Sequence, residues 1–283
     1  MNTAFFYVVY DQDIPLLYLS CLSLRRNWQG PKNIVIVDNH TTKPWRDLIT
    51  ECLPQWQITV IDAPKLSLEH HFAGGWYTQQ VYKLICPLAT DYDLFIIMDC
   101  KNLMIRATGL EEFIDQDREL CIGGETEHIK QSFGTAWNSY TLRMAKESQD
   151  LVGGRETELL IYTVTPQIFR RSVLAELQSL YQFDQMKLWQ GTEFFTYWYY
   201  YNTFHRPQWQ CRETDFVMVD MNLPLADRSV FYNLHQRDIN LHSEFVLNKL
   251  AETGVITPRD RREFWRRVSV SKKQWYFGDR TRP

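Results

Sequence analysis

The chain has 283 residues, 45% apolar and 23% charged, with a formal net charge of −3. That composition excludes a disordered chain, a collagen-like repeat and a disulfide miniprotein, and the acidic balance argues against nucleic acid as a partner. No apolar stretch nears the roughly 18 residues that a membrane span needs.

The first hundred residues alternate strand and helix. Phe5–Tyr10 is a β-rich run closed by Asp11, with no basic stretch before it, so no export signal is expected. Residues 14–28 carry Leu16, Leu17, Leu19, Leu22, Leu24 and Trp28 at helical spacing, and Gly30-Pro31 stops that helix. Asn33–Val37 reads as a second strand closed by Asp38, and Ile58–Ile61 as a third ending at Asp62. Gly74-Gly75 opens a helix predicted to run through Ala89. Leu94–Met98 is a fourth strand, ending at Asp99. Continuous β-branched and aromatic runs separated by helices predict a mostly parallel sheet covered on both faces. Ligands bind such sheets at the carboxyl ends of the strands, which here carry Asp11, Asp38 and Asp99.

The second half is less regular. Thr135–Ser148 reads as a helix and Leu159–Val164 as a strand. Thr165-Pro166 reads as a helix start leading into Ile168–Leu180. Glu193–Phe204 is predicted as an aromatic-rich helix, and His242–Leu250 as another. The six cysteines, Cys21, Cys52, Cys86, Cys100, Cys121 and Cys211, are scattered, which suits reduced thiols in a cytoplasm. There is no Gly-x-Gly-x-x-Gly after the first strand, no Walker-type loop and no Gly-x-Ser-x-Gly elbow. A hydrolase therefore has no motif to support it.

Three stretches together resemble glycosyltransferases of the GT-A fold. The first is Gly74-Gly75-Trp76-Tyr77-Thr78-Gln79-Gln80-Val81-Tyr82-Lys83-Leu84, followed by Leu94–Asn102 and Arg106. It is similar to the Gly-Trp-Tyr-x-Gln-Gln helix and following strand of a bacterial glycosyltransferase-like family associated with surface polysaccharides. The second is Tyr162–Pro166 with the helix after it. The third is Gly191–Tyr197, then Phe231–His235. The likeness runs from about residue 3 to about residue 250 of the sequence. It implies a GT-A-like, Rossmann-like α/β domain over 1–258, with a nucleotide-binding half (1–125) and an acceptor half (126–258). It also implies a nucleotide-sugar donor and a glycan or lipid-linked acceptor.

In GT-A enzymes the strand matching 94–99 ends in Asp-x-Asp, whose carboxylates hold a cation against the leaving diphosphate. Here the motif is Asp99-Cys100-Lys101-Asn102, with an ammonium where the second carboxylate would stand. The expectation is a transferase that requires no metal, in which Lys101 does part of the cation's work beside Asp99. Lys83 and Arg106 are possible helpers. Mn²⁺ or Mg²⁺ would still have a route through Asp99 and His235. A GT-A-like module that binds nucleotide or glycan without turnover is the competing reading.

Further residues follow from the resemblance. Asp11, Asp38, Gln80, Lys83, Asn102 and His235 are expected to contact the donor. Glu193, opening its helix, is the candidate base for the acceptor hydroxyl, or else a first-turn carboxylate serving the helix dipole. Trp189, Tyr197 and Trp198 could stack on sugar rings or belong to the core. Residues 259–283 carry nine Lys/Arg against three Asp/Glu. With Phe264 and Trp265 between arginines, this extension suits either a peripheral contact with anionic lipid at the inner face of the membrane or a helix docked on the domain.

Overall fold

The apolar runs of the first hundred residues do line up as one parallel sheet. The computed structural model describes residues 1–42, 44–66, 75–115, 118–125, 135–156, 159–161, 165–185, 191–205, 209–212, 217–218, 231–233, 247–248, 250–252 and 254–268. The main sheet has the order β3 (Gln57–Asp62), β2 (Asn33–Asp38), β1 (Thr3–Val9), β4 (Leu94–Ile97) and β9 (Gln167–Arg170). The first four strands are parallel; β9 pairs antiparallel with β4, Ile96 facing Ile168. Every residue of β1 and β4 is buried, which is why these strands read as unbroken apolar runs.

Helix α1 (Ile14–Asn27) follows β1 and is buried except at Arg25 and Arg26. Its polar residues explain how so apolar a helix is held in register. The Ser20 hydroxyl donates to the Asn102 carbonyl at 2.6 Å, the Ser23 hydroxyl accepts from the Met104 backbone at 2.9 Å, and the Asn27 amide donates to the Met104 carbonyl at 2.6 Å. Together they bind α1 to the short strand β5 (Asn102–Met104), which continues from the end of β4.

Helix α2 (Arg46–Cys52) lies between β2 and β3 and has too few apolar positions for its period to show in the sequence. Helix α3 (Gly75–Ile85) is shorter than predicted: Cys86–Ala89 continue it as a 3₁₀ turn, with Pro87 in the first turn. Further on come β6 (Ile114–Asp115), β7 (Arg118–Glu125), α4 (Thr135–Val152) and β8 (Leu159–Ile161). Helix α4 ends at Gly153, whose φ of +63° suits glycine at a helix C-terminus. Helices α5 (Arg171–Tyr181) and α6 (Glu193–Phe204) and strands β10 (Trp209–Arg212), β11 (Val217–Met218) and β12 (Phe231–Asn233) complete the second half. Two small sheets, β10-β7-β6 with β8 on β7, and β11-β12-β5, flank the main one.

The predicted helix start at Thr165-Pro166 is corrected. Gln167–Arg170 form a strand, and the helix begins at Arg171. Sheet pairing with β4 outweighs the local capping signal there. Residues 162–164 and most of 242–250 lie outside the described residues.

The C-terminal helix α7 (Pro258–Val268) docks on α1. Phe264 is buried and stacks on Tyr18 with ring centroids 6.3 Å apart, and Arg25 pairs with Asp260 at 3.1 Å. Its aromatic Phe264 therefore belongs to the core. Among the described residues, no helix is long and apolar enough to cross a membrane.

Candidate active site

The strand order reverses between β1 and β4: β2 and β3 extend the sheet to one side of β1, and β4 to the other. Such a switch point opens a crevice at the carboxyl ends of the two strands. The turn after β1 carries Asp11 and Asp13, and the turn after β4 carries Asp99 and Lys101.

Two neighbouring elements complete a cluster. Lys83, in the last turn of α3, donates to Asp99 Oδ1 at 2.9 Å and to Glu193 Oε1 at 2.9 Å. Lys101 Nζ stands 3.7 Å from Asp99 Oδ2. The result is a file of alternating charge, Glu193–Lys83–Asp99–Lys101, graded from core to water. Side-chain exposure is 1% at Glu193, 3% at Lys83, 24% at Asp99 and 40% at Lys101. The Phe194 ring lies 5.2 Å from the Lys83 ammonium and adds a cation–π contact. Glu193 is held in place because Thr192 caps α6, its hydroxyl accepting from the Phe195 backbone at 3.2 Å.

The charges set each other's protonation. Burial works to raise the Asp99 carboxyl, but Lys83 and Lys101 outweigh it and hold the group well below the usual carboxylate range. Burial works against the charge of Lys83, yet Asp99 and Glu193 keep its ammonium more firmly protonated than usual. Glu193 is raised, mainly by burial, with Lys83 compensating only in part. Asp13 is the member the sequence reading missed. Burial and then the Asp99 charge push it up to about 6, against the opposing effect of a Tyr10 backbone bond and Lys101. Its position at the head of α1 looks like an ordinary helix cap. The available signal was the acidic pair Asp11 and Asp13 at a strand end facing Asp99.

The other expected site residues are spread around this cluster. Asp11 and Asp38 shape the loop after β2. Asp11 accepts from the Thr42 backbone at 2.8 Å and from its hydroxyl at 2.6 Å; Asp38 accepts from the Thr41 backbone at 2.9 Å and from its hydroxyl at 2.8 Å. Arg46 bridges Asp38 and Asp62 at 3.1 and 2.8 Å. Asn102 is fully buried: its carbonyl oxygen accepts from the Asp99 backbone at 2.7 Å and its amide donates to the Thr165 carbonyl at 3.2 Å. It thus shapes the Asp99 turn from beneath. Gln80 is buried one turn before Lys83. Arg106 lies 3.4 Å from Glu112, apart from the charge file. Tyr197 and Trp198 are core residues, Tyr197 stacking on Phe169 at 4.3 Å. Trp189 and His235 lie outside the described residues.

A divalent cation needs carboxylate oxygens with lone pairs to spare. Asp99 turns both of its oxygens to ammonium groups, and Lys101 stands where a second carboxylate would be. Among the described residues there is no group of three or more His, Cys, Asp or Glu that could hold a metal ion. His235, the other residue expected to serve a cation, lies outside the described residues.

A family model described as a family of unknown function, DUF6492, matches residues 4–251. No curated protein matches the chain. Among solved structures, the chain is similar to the apo structure of the bifunctional glycosyltransferase WbbM, with a TM-score of 0.58 and 12% identity over 94% of this chain and 51% of that one. It is also similar to the galactosyltransferase LgtC in complex with donor and acceptor sugar analogues, with a TM-score of 0.50 and 10% identity over 92% and 99% of the two chains. The apo glycosyltransferase GlyE of Streptococcus pneumoniae TIGR4 gives a TM-score of 0.49 and 12% identity over 95% of this chain and 64% of that one. The chain thus spans about half of WbbM and under two thirds of GlyE. At such identities the likeness speaks for the fold, which is GT-A-like: a mostly parallel central sheet flanked by helices.

Proposed function

We propose that this chain, which belongs to the DUF6492 family of unknown function, is a glycosyltransferase that moves a sugar from a nucleotide-sugar donor to a glycan or lipid-linked acceptor, with Lys101 in place of a cation. The observation that carries the reading is the charge file from Glu193 to Lys101 at the switch point of a GT-A-like sheet. As the bond between the anomeric carbon and the diphosphate breaks, negative charge grows on the leaving group. Lys101, at the watered end of the file, supplies a positive charge there. Asp99 orients Lys101, Lys83 fixes Asp99, and Glu193 anchors Lys83 from the core.

Glu193 then serves the site as a buried support, since an acceptor hydroxyl must reach any base within hydrogen-bond distance. Asp13, partly exposed and raised to about 6, takes over the role of proton acceptor. Asp11, Asp38 and Arg46 stand on the β1–β2 side, where a donor's nucleoside would lie.

The test is release of nucleoside diphosphate from a panel of nucleotide sugars with excess chelator. Slow release that persists under chelator and is lost in Asp99→Asn and Lys101→Ala is the expected result. Activity lost to chelator and restored by Mn²⁺ or Mg²⁺ overturns the part given to Lys101. Tight nucleotide or glycan binding without turnover of any donor overturns the transferase and leaves a binding module.

A further inference from the structure

Helix α7 is fixed to the domain along one side. Its first turn is a closed cap: Thr257 donates to Asp260 Oδ2 from its backbone at 2.9 Å and from its hydroxyl at 2.7 Å, and the Asp260 backbone donates to the Thr257 hydroxyl at 3.0 Å. With Asp260 beside Arg25 and Phe264 beside Tyr18, α7 runs back toward the head of α1. That head follows Asp13, at the carboxyl edge of the main sheet. At roughly 100° per residue, Arg259, Arg262 and Arg266 fall within about 60° of one another, and Phe264 lies about 140–160° round the helix from them. All three arginines are exposed; Arg266 is 71% exposed even with Glu263 beside it. Arg26, in the last turn of α1, is exposed as well.

Packing against α1 has used the aromatic side of α7 and left a row of guanidinium groups on its outer side. Charge says what fits that row. Residues 259–283 hold nine Lys/Arg against three Asp/Glu, whereas the whole chain holds 31 against 34, so the remainder is acidic. A long polyanion that spreads over the domain would meet that acidic remainder. A surface of anionic lipid headgroups meets one side of the molecule only. It attracts each arginine that comes within a Debye length of it, and guanidinium groups match phosphate oxygens with paired donors.

We infer that the row Arg259, Arg262 and Arg266 on α7 docks the protein on an anionic lipid surface. Because α7 ends toward the head of α1, such docking brings the carboxyl edge of the sheet near the lipid, where a lipid-linked acceptor would stand. That use of the contact rests on the glycosyltransferase reading; the lipid binding does not. The test is co-sedimentation of the full-length chain with vesicles of phosphatidylcholine containing about one third phosphatidylglycerol, with thermal midpoints to confirm folding. Wild type is expected to bind these vesicles, to pass over vesicles of phosphatidylcholine alone, and to let go as salt is raised. Arg259→Ala, Arg262→Ala and Arg266→Ala combined are expected to weaken binding about a hundredfold, and the three lysine substitutions to retain it. Arg143→Ala with Lys146→Ala, which removes exposed charge from α4, is expected to bind as wild type does. Unchanged binding in the triple alanine variant overturns the assignment, as does equal binding to the neutral vesicles or none to either kind. Retention on single-stranded DNA without vesicle binding overturns it in favour of a nucleic-acid contact. Donor hydrolysis by the wild type in solution, measured separately, reports on the transferase reading alone.

Discussion

Asp13 shows how a residue that looks ordinary in sequence gains its character from its neighbours. Its carboxyl, raised from 3.8 to about 6, keeps its proton in the folded chain at pH values where the unfolded chain has lost it. Between those two values the folded state binds more protons, so its stability falls as pH rises through the window. A shift of that size corresponds to roughly 3 kcal/mol, and residual contact with water reduces it to on the order of 1–2 kcal/mol. Asp13→Asn is therefore expected to be more stable than wild type by that amount at pH 7 and equal to it below about pH 4. Urea denaturation at the two pH values checks this; equal stability at pH 7 would remove the strain. The same scale separates the other aspartates. Asp11, Asp38 and Asp99 were legible as strand-end carboxylates. Nothing in their spacing told that the first two hold the Thr41-Thr42 loop while the third faces two ammonium groups.

Three elements that are distant in the chain meet at Lys83: its own helix α3, the end of β4 and the start of α6. The ammonium is shared by the Asp99 and Glu193 carboxylates. Removing it leaves the buried Glu193 and the partly buried Asp99 without their shared cation, and breaking a buried pair costs on the order of 3–5 kcal/mol. Lys83→Met is expected to show that loss in chemical denaturation. Adding Glu193→Gln should recover part of it, because one of the stranded charges goes too. Strictly additive costs in this double-mutant cycle would show that the contact is not energetically coupled. Helix α6 and its first residue Glu193 were predicted to the residue, since Thr192 and the aromatic run after it mark the start. Strand β9 was misread because a capping signal is local, whereas pairing with β4 is not. The serines of α1 were unreadable for the same reason: they look like a solvated face until β5 is laid against them.

Over the whole molecule, α7 returns the end of the described chain to the first helix. Phe264 fills a place beside Tyr18 that would otherwise face water. Phe264→Ala is expected to cost about 3 kcal/mol, a typical loss for a buried aromatic, and to lower the thermal midpoint. A change under about 0.5 kcal/mol, the range of ordinary surface positions, would mean that the helix adds nothing to the domain. Arg262 and Arg266 stay at the surface, so charge alone could not say whether this helix turned to lipid or to protein. What the sequence determined by itself was the parallel sheet and the acids at its carboxyl edge, because unbroken apolar runs and the residues that end them are local features of the chain. What only the tertiary structure decided was the partnership of those acids. Lys83 reaches Glu193 across 110 positions, and Asp13 feels Asp99 across the switch point. Such electrostatic coupling depends on distance in space, which no spacing along the chain encodes.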